Sequence, residues 1–151
     1  MPTAVFRIAA TTLMLGALFP AVSGARQKSE EYAVPGGAIY YDQNGHEVAP
    51  QRLFDVPPAV EGGVAAFSRH IYYPPWERSL RIGGVVHVFL SLDSAGKVLE
   101  SRVVDSTRPK FNNTVLAAAR LAKWRPAMKN QAGVPIKFTF PVHFVPPPQH
   151  S

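Results

Sequence analysis

The sequence predicts an α+β domain in two layers, a three-stranded antiparallel sheet packed against two helices. Three observations carry that prediction. Residues 83–93 and 136–144 alternate apolar and polar side chains with period two, the pattern of strands buried on one face. Ser94-Ala95-Gly96 stands between two such runs and turns them into a hairpin. Two further stretches, near 64–71 and 112–122, repeat their apolar residues at helical intervals. The order is helix–strand–strand–helix–strand.

The N-terminus reads as a secretory signal peptide over residues 1–25. "MPTAVFR" ends in one cation, "IAATTLMLGALF" is an apolar run, and "PAVSGA" supplies small residues, with cleavage after Gly24 or Ala25. The alternative is a retained N-terminal anchor. Residues 8–25 are uncharged, at the lower limit of length for a membrane span. Residues 26–56 form a polar segment in which "AIYYDQNGHEV" (38–48), centred on Asn44-Gly45, predicts a small hairpin.

Pro57-Pro58 opens the main domain, residues 57–145. In "GGVAAFSRHI", Val64, Phe67 and Ile71 share one face of the first helix. "YYPP" ends that helix, and Pro75 is placed to start a short helical turn in "PWERSLR". The first strand turns Val86, Val88, Leu90 and Leu92 to one face, and "KVLESRVVD" returns as its partner. The second helix lies within 108–124. Pro109 and Asn112 or Asn113 suit its entrance, and Val115, Ala118 or Ala119, and Ala122 make its buried stripe. A turn around Gly133 leads into "IKFTFPVHF", and the Pro-rich tail 146–151 pairs with nothing. The expected core joins Val86, Val88, Leu90, Ile136, Phe138, Phe140 and Val142 to Trp124, Val115, Ala119 and Phe67.

A hairpin followed by a helix returns the third strand beside the first, giving the strand order 2-1-3. The third strand is then an edge, which accommodates Pro141, a residue with no N–H for a ladder. Residues two apart in a strand direct their backbone groups to the same side. If Pro141 faces outward, so do Lys137, Thr139 and His143. These four residues form a candidate docking edge for an extended peptide. The plainer reading is that lysine and proline protect the edge against aggregation.

Composition narrows the function classes. A chain of 151 residues that is 46% hydrophobic can bury a core. It has no cysteine, which rules out disulfides, thiolate nucleophiles and Cys-ligated zinc. The net charge is +6 without a dense Lys/Arg run, so no nucleic-acid surface is expected. Histidines 46, 70, 87, 143 and 150 lack metal-ligand spacing, although His87 and His143 are expected on neighbouring strands. No nucleophile elbow, zinc-protease, phosphate-loop or dinucleotide motif is present, and the carboxylates are scattered. Neither an enzyme, a metal nor a cofactor is expected.

In order along the chain stand Tyr73-Pro74, Gly84, the hairpin Asp93–Val98 with Gly96, Trp124-Arg125-Pro126-Ala127, Gly133, Pro135 and Pro141–Phe144. This series, from about Pro57 to Val145, resembles the C-terminal domain of TonB-family energy transducers. The resemblance implies a periplasmic module that binds a short peptide of outer-membrane transporters by strand addition. The partner it implies is such a transporter. The alternative is a free-standing structural or adaptor domain of the cell envelope, with no role in energy transduction, that pairs with another envelope protein or as a homodimer. Membrane contact is expected only through a retained N-terminal segment. Family transducers also carry a membrane anchor with a coupling histidine and a long Pro-rich spacer. Residues 8–25 contain no histidine, and residues 26–56 contain no Pro-rich run.

Overall fold

The structure, a computed structural model, describes residues 37–148. The expected signal or anchor segment and the end of the tail lie outside the described residues. In chain order the elements are β1 (Ile39–Tyr41), α1 (Pro50–Leu53), β2 (Ala59–Val60), α2 (Gly63–Arg69), α3 (Pro75–Ser79), β3 (Gly84–Leu92), β4 (Val98–Ser106), a 3-10 turn (Pro109–Phe111), α4 (Asn112–Leu121), β5 (Trp124–Arg125), β6 (Ala127–Lys129), β7 (Ala132–Val134) and β8 (Ile136–Phe144).

The main sheet has four strands rather than three, in the order β1-β8-β3-β4. The three long strands keep the order expected of them, and β1 is added outside β8. β3 and β8 pair over nine residues, from Gly84 opposite Phe144 to Leu92 opposite Ile136. Two small ladders, β2 with β5 and β6 with β7, complete the strands. No helix among the described residues is long and apolar enough to cross a membrane.

The core lies between the sheet and α4 with α2. Val86, Val88, Leu90, Val115, Ala119, Phe138 and Phe140 are inaccessible to solvent, and Phe67, Ile136, Val142 and Trp124 are buried around them. Tyr40 and Phe54 join the same core, so residues expected to precede the globule contribute to it. Trp124 plugs the exit of α4, its indole N–H donating to the Ala119 carbonyl at 2.9 Å.

Several local expectations are corrected. Val64 is 46% exposed, so Phe67 is the large buried side chain of α2, while Ile71, beyond the end of the helix, packs half-buried against the core. Neither Asn112 nor Asn113 caps α4. The chain enters it through the 3-10 turn at Pro109, and no side chain bonds the first turn. The Asn112 Oδ1 is instead buried without a partner. The turn before β8 falls at Asn130 and Gln131, both with positive φ, while Gly133 lies inside β7. There a Cβ would collide with the Ser94 carbonyl. The opposite sheet face is not bare, because Phe89 is buried beneath the Arg102 guanidinium, 4.3 Å from its ring centre.

Candidate peptide-docking edge

The outer edge of β8 is set by alternation. Asp42 N–H donates to the His46 carbonyl, and Val48 N–H donates to the Tyr40 carbonyl. The backbone N–H and C=O groups of Tyr40 and Asp42 therefore point away from β8, and those of Ile39 and Tyr41 point toward it. Ile39 and Tyr41 stand opposite Thr139 and Lys137. Lys137, Thr139, Pro141 and His143 thus share the outward side, and Phe138 and Phe140 bond inward to β3.

This side is not fully open. β1 occupies it at Lys137 and Thr139, the Tyr41 hydroxyl lies 3.2 Å from the Thr139 Oγ1, and the Lys137 ammonium donates to the Gln43 carbonyl. Gly37 falls opposite Pro141, close enough that a Cβ there would lie 3.3 Å from the proline ring. Pro141 offers no donor at that point, and β1 ends there. His143 lies beyond β1 and is exposed.

β1 belongs to a hairpin closed by Asp42, whose carboxylate accepts from the N–H groups of Asn44 and His46. The His46 N–H is the main cause holding the Asp42 carboxyl below its ordinary value. Tyr40 projects from the hairpin into the core, packing edge-on to Phe54 at 4.8 Å and beside Phe138 at 5.8 Å. Burial raises the pKa of its phenol above the ordinary tyrosine value.

The opposite edge is β4. Its register slips between His87 and Val88 and again between Ser91 and Leu92, leaving Val104 and Leu99 as extra residues. A groove beside it is walled by Lys97, Val98, Leu99, Arg120 and Trp124. The Arg120 guanidinium donates across it to the Ser101 hydroxyl at 2.8 Å.

The motif residues converge on two joints. At one end of the sheet the Tyr73 hydroxyl donates to the Ile82 carbonyl at 2.6 Å. The Tyr73 ring meets those of Phe111 and Phe144 at 5.5 Å each. Gly84 leaves room for the same Phe111 ring. Pro74 precedes α3, which starts at Pro75. At the other end the Asp93–Lys97 turn presses on the segment Trp124–Pro126. Gly96 has a φ of 86° and lies against the Trp124 carbonyl, where no Cβ fits. Gly133 meets the turn from the other side, and Pro135 leads into β8.

His87 and His143 are not brought into a site. His143 stands opposite Val85 and His87 opposite Pro141, and His87 faces Asp105 at 3.9 Å. No group of three or more metal-binding side chains occurs among the described residues. Sequence reasoning missed Tyr40 and Tyr41. The Asn44-Gly45 turn was a signal for their hairpin, but not for its second pairing with β8.

Comparison with known proteins adds one finding. No curated protein matches the chain. A family model described as the Gram-negative bacterial TonB protein C-terminal matches residues 69–146, the span from the end of α2 through β8 that holds both joints and the edge. The chain belongs to the TonB C-terminal family.

Proposed function

We propose that this chain is a protein-binding module of the cell envelope. It docks an extended segment of an outer-membrane transporter as an added strand on β8 and assists energy-dependent transport. Residues 1–25 export it to the periplasm, or hold it on the inner membrane if they are retained. The observation that carries this reading is β1, an extended segment paired antiparallel with Lys137 and Thr139 on the outward side of β8. An edge that accepts one strand has the backbone geometry to accept another. Family membership supports protein interaction, rather than catalysis, as the activity.

The same observation favours a second reading. With Lys137 and Thr139 already paired, the domain serves as an adaptor or structural element that binds another envelope protein, or a second copy, elsewhere. A photo-crosslinking residue in place of the exposed His143 separates the two. In intact cells the docking reading expects a covalent product with an outer-membrane transporter. The adaptor reading expects no transporter product from this position, because its partner binds away from β8.

A further inference from the structure

We propose that the hairpin 38–48 is a displaceable occupant of the docking edge, a built-in competitor that must leave before a partner strand binds. The proposal rests on the docking reading above and adds how the edge is regulated and what it selects.

Between Gly37 and Leu53 only Tyr40 is buried. α1, which links the hairpin to the fixed chain, fully buries no residue; Leu53 packs partly against the core and the Lys129 ammonium donates to the Arg52 carbonyl. Firm attachment resumes at Phe54 in the core and at Asp55 and Val56, whose N–H groups donate to the Met128 carbonyl. The hairpin is therefore held by one inserted ring, a three-residue ladder, the contacts of Tyr41 with Thr139 and the Phe89 ring, the Lys137–Gln43 bond and the half-buried Ala38 against the core. By contrast β3 and β8 pair over nine residues above a continuous core. Segments with few buried contacts open at lower free energy than the sheet they rest on.

Opening exposes more than backbone. Tyr40 leaves a slot bounded by Phe54 and Phe138, open to the edge and lined by aromatic rings. The fitting occupant is an extended segment with a large aromatic or aliphatic side chain opposite Phe138. A charged residue at that position would be desolvated without a partner.

The test uses the full chain, which has no native cysteine. Tyr41→Cys with Lys137→Cys places two thiols on a directly opposed pair. Hydrogen-bonded pairs have Cα atoms about 5.5 Å apart, within disulfide range. The probes are a fluorescent peptide copying residues 36–42, "GGAIYYD", the same peptide with Asp at its first tyrosine, and a transporter-derived N-terminal peptide. We expect the copied peptide to bind the reduced variant at least tenfold more tightly than the oxidised one, and the Asp peptide to lose that binding. Equal binding to both redox forms overturns the proposal.

Hydrogen exchange on the unmodified chain gives an independent reading. The amides of Lys137 and Thr139 should exchange faster than those of Phe138 and Phe140. Equal protection of all four overturns displacement. If early exchange and redox-gated binding of the copied peptide hold while the transporter peptide binds neither form, the hairpin is displaceable and the transporter reading fails.

Discussion

The β4 edge and the outward side of β8, only part of which β1 covers, solve the same problem in different ways. β4 breaks its own regularity. Each of its two register slips adds a residue, Leu99 and Val104, and these are 63% and 52% exposed. Such bulges twist a strand away from the flat template that another chain needs. β8 runs opposite β3 without a slip and is covered by β1 over part of its length. An edge made irregular needs no cover. An edge kept regular and then covered retains the ability to pair. That difference directs attention to β8.

The largest expected effect lies beneath the β8 edge. Phe138 is inaccessible to solvent and its ring meets Tyr40, Trp124 and Phe140. Phe138→Ala should cost about 3–5 kcal/mol in a denaturant titration. A loss below about 1 kcal/mol, well under the range for buried phenylalanine, would mean that β8 is not anchored through this ring. Next comes the joint between the hairpin turn of β3–β4 and β7. Gly133→Ala drives a methyl group into the Ser94 carbonyl and should cost about 1–3 kcal/mol. The shifts should concentrate around residues 93–97 in an amide spectrum, with the β1 pairing unmoved.

A smaller effect concerns pH and separates β1 from β4. Burial raises the Tyr40 phenol above its ordinary 10.0. The released hairpin ionises near the ordinary value, whereas the seated one keeps its proton. The seated form therefore has its full stability below pH 10.0 and loses it as pH rises beyond that value. Exchange at Lys137 and Thr139 should accelerate over that range, beyond the intrinsic rate, while amides along β4 do not follow. Tyr40→Phe should remove the acceleration. The smallest effect is expected on the other edge. Leu99→Lys, at an exposed bulge, should stay within about 0.5 kcal/mol of the parent and leave peptide binding unchanged. A tenfold loss of binding would transfer the docking site to β4.

Much of this architecture was legible in the chain. Period-two alternation marks β3 and β8 because each turns one face to a continuous core. The small-residue stripe marks α4, since Val115, Ala118 and Ala119 lie against the sheet. What escaped was decided by partners distant in sequence. β1 has three residues, too few for a period to show, and its pairing with β8 spans almost the whole domain. Phe89 sits on the nominally solvated face and is buried only because Tyr41 and Arg102 arrive there. The residue type of Asn112 suits a helix cap, but the chain turns through Pro109–Phe111 first and leaves its side chain inside. The four outward residues of β8 followed from one proline and the rule of alternation. The pairing of β1 with two of them, Lys137 and Thr139, could not have.

Pro141 acts as a ruler. Strand pairing grows by simple extension, and a β1 able to continue past Ile39 would add bonds at Gly37 and beyond, each contributing about 1 kcal/mol. A longer internal strand would be a permanent fourth strand, and no visitor could replace it. Pro141 withholds a donor opposite Gly37, where a φ of 88° turns the chain out of the strand, and the internal strand is three residues long. On the docking reading proposed above, an incoming segment not bound to that length would reach past the gap to His143. The proline in the middle of an otherwise regular strand thus sets a handicap: the resident is kept shorter than its challenger.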